Sequence, residues 1–177
     1  MTSPMSLLRA LANVLRPNPR VRKADRPTVE TASGAGTEPG RSGPNATIEV
    51  DPRRLGPVTT AYRPETDGDA DPGEIVWTWV PYEENDGRGK DRPVLVVAGE
   101  PHGTVLAVQL TSQEHPGRSE YLPIGTGPWD AQRRPSYVNL ERVFRVHQNG
   151  MRREAAALGA RPYEAVRTAL VARYGWR

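Results

Sequence analysis

From Glu74 onward the chain runs in short apolar stretches punctuated by proline, glycine and polar loops. Glu74-Ile75-Val76-Trp77-Thr78-Trp79-Val80 is rich in β-branched and aromatic residues; it predicts a strand with Ile75, Trp77 and Trp79 on one face, stopped by Pro81. A polar loop over 81–91 precedes Arg92-Pro93-Val94-Leu95-Val96-Val97-Ala98, an apolar run short enough for a buried strand. The turn residues Gly99-Glu100-Pro101-His102-Gly103 predict a hairpin with the strand Val105 to Leu110. Further strands are expected at 121–124, 137–140 and 143–146, and a short helix over 151–158. At the end, Tyr163, Val166, Leu170, Val171 and Tyr174 recur on one face of a 3.6-residue period, with Pro162 in the first turn and Gly175 as terminator. Five or six short strands and a C-terminal helix predict a mainly β (α+β) fold, a small antiparallel SH3-like barrel that removes sheet edges by curling on itself.

The first 73 residues follow other rules. Residues 6–15 place Leu7, Leu8, Leu11, Val14 and Leu15 on one helical face, and Arg16, Arg20, Arg22, Lys23 and Arg26 follow. A membrane-surface contact, a nucleic-acid arm and a partner helix all fit this basic amphipathic segment, 1–26. A solvated tail fits better, because three helical turns are marginal alone. Residues 27–73 read as mostly disordered linker: 27–44 lack periodicity and 67–73 return to linker composition, with an extra strand possible near 47–50. The barrel domain is then 74–177. Of the aromatic residues only Tyr62 precedes Ile75, so the packed core belongs to the second part.

Composition removes several classes of function. With no cysteine, disulfide scaffolds, thiolate metal sites and cysteine nucleophiles are excluded. Three histidines leave little for a transition-metal site, so neither a metal nor a cofactor is expected. No apolar run approaches the ~20 residues of a membrane span, and no signal-peptide pattern opens the chain, which points to the cytoplasm. The formal charge of +3 tilts mildly towards anionic partners.

The most specific feature is Gly87-Arg88-Gly89-Lys90-Asp91-Arg92-Pro93-Val94-Leu95-Val96-Val97, set between Glu74-Ile75-Val76-Trp77 and Val108-Gln109-Leu110-Thr111-Ser112-Gln113. In this order and spacing, from about Pro72 to the C-terminus, the chain resembles the MazF/PemK family of toxin ribonucleases. The resemblance implies an SH3-like barrel, a homodimer, a cognate antitoxin protein, and metal-independent cleavage of single-stranded RNA. By match of motif, Arg92 takes the place of the family's catalytic arginine and Thr111 that of its catalytic Thr/Ser, with the loop 86–91 as the segment over the site. The chain departs from the family pattern at Gln109, where many relatives carry proline.

The chemistry also has a footing in the residues themselves. RNA carries its own nucleophile, the 2′-hydroxyl, so a protein need only orient it, accept its proton and stabilise the phosphorane. A guanidinium fixes a phosphate through two donors and keeps its charge, which suits Arg92, while the Thr111 hydroxyl can hold a non-bridging oxygen. This route leaves a 2′,3′-cyclic phosphate and a 5′-hydroxyl. Ser112 and His115 are further catalytic candidates, the latter as a general base titrating near neutrality. Arg88, Lys90, Gln113, Arg118 and Arg142 are candidates for RNA binding, and Trp129, in a turn-rich stretch, for base stacking. The alternative is a non-catalytic SH3-like module that binds nucleic acid or a protein.

Overall fold

Strands form where β-branched residues cluster, and they pair entirely antiparallel. The computed structural model describes residues 38–65 and 67–177; the segment 1–26 and the first part of the expected linker lie outside the described residues. The strands are β1 (Ile48–Val50), β2 (Glu74–Pro81), β3 (Gly89–Glu100), β4 (Thr104–Thr111), β5 (Tyr121–Gly125), β6 (Ser136–His147) and β7 (Arg152–Ala157), followed by helix α1 (Ala160–Tyr174). Their order is β1-β6-β4-β3-β2-β7, with β5 also pairing β6. The fold is therefore mainly β with one C-terminal helix, as the pattern predicts.

Two elements differ from the sequence reading. The two strands expected over 137–146 are one, β6, which accommodates the polar stretch Asn139–Arg142 as a bulge. Its partners on β4 step from Val108–Val143 to Leu110–Val138, leaving three extra residues on β6. The helix expected over 151–158 is instead β7, paired with the edge of β2 at Ile75–Ala156 and Trp77–Arg152. Alanine-rich composition favours a helix locally, but an unpaired β2 edge outweighs that weak preference.

The sheet is buried on both faces, which is why β3 reads as an unbroken apolar run. On one face Ile75, Leu95, Val97, Leu106 and Val143 pack with Tyr163, Val166 and Leu170 of α1. On the other, Val76, Val94, Val96, Ala107 and Phe144 pack among themselves. The sheet curls far enough to bring its distant strands together. Three strands separate β1 from β2 in hydrogen-bonding order, yet Thr47 Oγ1, just before β1, lies 2.6 Å from Thr78 Oγ1 of β2.

That contact belongs to a belt, 38–73, lying where a linker is expected. The Trp79 N–H donates to the Pro39 carbonyl (3.1 Å), and β1 pairs with Val143–Arg145 of β6. Further on, Thr60 and Val58 exchange backbone bonds with Arg177 (2.6 and 2.8 Å), and the Gly73 N–H reaches the Val96 carbonyl (2.9 Å). The belt is held by backbone hydrogen bonds and close approach rather than by aromatic burial, so hydropathy does not reveal it. Among the described residues, no helix is long and apolar enough to cross a membrane.

Candidate active site

The β3–β4 ladder ends at Val94–Gln109, next to Pro93, which has no N–H to offer a partner. Two residues beyond that last pair stand Arg92, opposite Thr78 of β2, and Thr111, opposite Tyr137 of β6. Here a cavity of about 470 Å³ opens, lined by Lys90, Asp91, Arg92 and Pro93 of β3, Leu110 to Gln113 at the end of β4, Trp77 of β2, and residues between Trp129 and Ser136. Six of the ten side chains singled out in the sequence meet in it: Arg92, Thr111, Ser112, Lys90, Gln113 and Trp129.

Arg92 is half-buried, opposite Thr78 of β2, and its guanidinium has no hydrogen-bond or ion-pair partner among the described residues. Its neighbour Asp91 also lines the cavity, on the opposite face of the strand from Arg92. The Asp91 carboxylate accepts from Arg152 Nη2 at 2.5 Å, and Arg152 lies over the Trp77 ring at 5.9 Å. One Asp91 oxygen is thus bound to β7 while the other is buried without a hydrogen-bond partner among the described residues, and neither pairs with Arg92. Thr111 Oγ1 accepts the Gln113 N–H at 3.1 Å. With its oxygen used that way, the hydroxyl proton remains to be donated outward.

Trp129, the expected stacking residue, lines the cavity but is largely buried. Only 7% of the residue is exposed, its indole N–H donates to Ser136 Oγ at 3.0 Å, and a Cβ on Gly127 would meet the ring at 2.1 Å. It is a wall of the cavity, wedged in place. Beside it Asp130 accepts from Arg134 Nε and the Gln132 N–H, both at 2.8 Å. Burial pushes the Asp130 carboxyl up, but these two donors together hold it below the usual carboxylate range.

Four expected residues lie elsewhere. His115 stacks on Tyr121, with ring centroids 3.7 Å apart, outside the cavity lining. Arg118 covers the same tyrosine at 5.4 Å and pairs with Glu120. Both belong to the β4–β5 loop, which leads away from the strand mouths. Arg88 is exposed and pairs with Asp86 at 2.7 Å. Arg142 is buried and bound to Glu49 of β1, so its charge is spent within the fold.

Arg88 and Arg142 nonetheless line a second depression, of about 370 Å³, with Tyr82, Glu83, Glu84, Gln109 and Arg92. Arg92 borders both spaces and stands on the divide between them. Trp77, Asp130, Ser136 and Glu49 escaped the sequence reading. Trp77 carried a signal, its strand position two residues from Trp79, and Asp130 another, its i,i+4 spacing from Arg134; Glu49 carried none.

Residues 71–172 match the family described as PemK-like, MazF-like toxin of type II toxin–antitoxin system. The chain belongs to that family. Everything that lines the cavity falls within the PemK-like match, whereas β1 and most of the belt precede it. No curated protein sequence matches. Solved structures do: a MazE–MazF structure from Deinococcus radiodurans is 19% identical, covers 60% of this chain and 96% of its own, and has a TM-score of 0.45. An endoribonuclease from a mycobacterial species is 18% identical over 63% of this chain and 97% of its own, with a TM-score of 0.44.

Proposed function

We propose that the protein is the toxin of a type II toxin–antitoxin pair and acts as a metal-independent endoribonuclease on single-stranded RNA. The observation that carries this reading is that Arg92, whose guanidinium has no partner among the described residues, and the Thr111 hydroxyl line one cavity where the β3–β4 ladder stops. The scissile phosphate sits between them. Arg92 grips two of its oxygens and offsets the charge that grows as the 2′-oxygen attacks phosphorus. Thr111 donates to a non-bridging oxygen. The P–O5′ bond breaks as the P–O2′ bond forms, so the proton leaving the 2′-hydroxyl is balanced by one reaching the 5′-oxygen. The products are a 2′,3′-cyclic phosphate and a 5′-hydroxyl. Membership of a toxin–antitoxin family supports a protein antitoxin as partner and a homodimer as the working form, the latter readable by sedimentation.

Purified protein incubated with a mixed RNA pool, with and without chelator, tests the reading, with both new ends mapped chemically. Cleavage that survives chelation and leaves 5′-hydroxyl ends is expected. Arg92→Ala lowers it by about 10³-fold, the scale of losing a transition-state donor, while the far-UV spectrum stays unchanged. New 5′-phosphate ends, or full activity in Arg92→Ala, would remove this mechanism. RNA binding without any cutting by the wild type points instead to the non-catalytic module.

A further inference from the structure

The depression beside the cavity is held by a side chain whose counter-ion comes from outside the family match. Arg142 sends Nε and Nη2 to the two carboxylate oxygens of Glu49, at 3.1 and 2.6 Å. The same Nη2 donates to the Pro81 carbonyl at 2.8 Å, and Nη1 stands 3.5 Å from Gln109 Oε1. These contacts reach two elements: Pro81 ends β2, where a loop departs whose Tyr82, Glu83, Glu84 and Arg88 line the groove, and Gln109, on β4, lines it from the other strand. A guanidinium is a rigid planar fork, so fixing one edge aims the other. Glu49, at the centre of β1, supplies that fixed edge. If its charge is removed, the buried fork loses its counter-ion, and the exposed Glu83 and Glu84 on the loop compete for it across the groove.

We propose that Glu49 is a positioning residue of the RNA site. By pinning Arg142 beneath Pro81 and Gln109, it keeps the groove next to Arg92 open as the track for the nucleotides flanking the scissile phosphate. This rests on the ribonuclease reading. It adds that a belt residue beyond the family match sets how the site holds its substrate.

The test uses the full chain carrying Glu49→Gln or Glu49→Asp. Two things are measured: steady-state cleavage of an RNA pool, and the rate at which trypsin cuts after Arg88 in the loop. Loss of the counter-ion in Glu49→Gln raises KM about ten-fold and leaves kcat within about two-fold, because the fork shapes the groove for the flanking nucleotides and does not touch the reacting atoms. It also speeds the tryptic cut about five-fold by releasing the loop base. Glu49→Asp, which keeps the charge, recovers part of both. Unchanged KM and tryptic rate in Glu49→Gln would overturn the proposal. So would a fall in kcat matched by a fall in melting temperature, which marks a merely structural role. A faster cut at Arg88 with unchanged KM would overturn it too, since the loop would then be held by Glu49 without serving RNA binding. If the wild type cuts no RNA, the ribonuclease reading fails by itself, and the tryptic comparison still decides whether Glu49 holds the loop.

Discussion

Thr111 is the residue whose substitution separates chemistry from packing most cleanly. It lies at a strand end, half-exposed, and its hydroxyl makes one local bond. Thr111→Val keeps the shape and removes the donor, so cleavage should drop about 10- to 100-fold with little change in melting temperature, while Thr111→Ser should retain most activity. Rates on one RNA substrate measured beside a thermal melt check both halves. Tyr163 tests the core. Its hydroxyl lies 2.7 Å from the Ala61 carbonyl and 3.0 Å from that of Val97, and burial raises its pKa well above the ordinary tyrosine value. The folded state therefore keeps the proton after the unfolded chain has begun to lose it. Stability from this group is complete below pH ~10 and declines as pH rises beyond it. Tyr163→Phe should cost about 1–2 kcal/mol at neutral pH and flatten the alkaline decline, as denaturant melts at pH 8 and 11 would show. Arg92 and Thr111 were legible because their motif is local and strand register carries it into space. Arg142 was not, because its partner stands 93 residues earlier, and Trp129 was not, because its burial depends on a bare glycine surface at Gly127.

Among the elements, legibility followed the source of stability. Strands β2 to β6 and helix α1 bury apolar faces, and their hydropathy announced them. Strand β7 did not, since it exists through pairing with β2 rather than through its own alanine-rich preference. The belt was read as linker for a related reason, and Gly40 shows what holds it. Its φ of +81° lies in the left-handed region, and a Cβ there would stand 2.4 Å from Thr78 Oγ1 and 2.5 Å from the Gly150 carbonyl. Gly40→Ala combines backbone strain with a clash against main chain and should destabilise the protein by about 2–3 kcal/mol, measured as a shift in the urea midpoint. An unchanged midpoint would mean that the belt is not clamped at this crossing.

For the molecule as a whole, the family match and the folded unit do not share a boundary. The matched segment begins at residue 71, yet β1 covers the edge of β6, and the belt carries Glu49 to Arg142. A fragment spanning 71–177 is thus a cask from which one stave has been drawn. Its β6 margin lies bare at Val143–Arg145, open to strand exchange with another copy, and its buried guanidinium has lost its counter-ion. Such a fragment should aggregate where the full chain does not, and it would report a weak or silent enzyme for reasons unrelated to the strand-end chemistry.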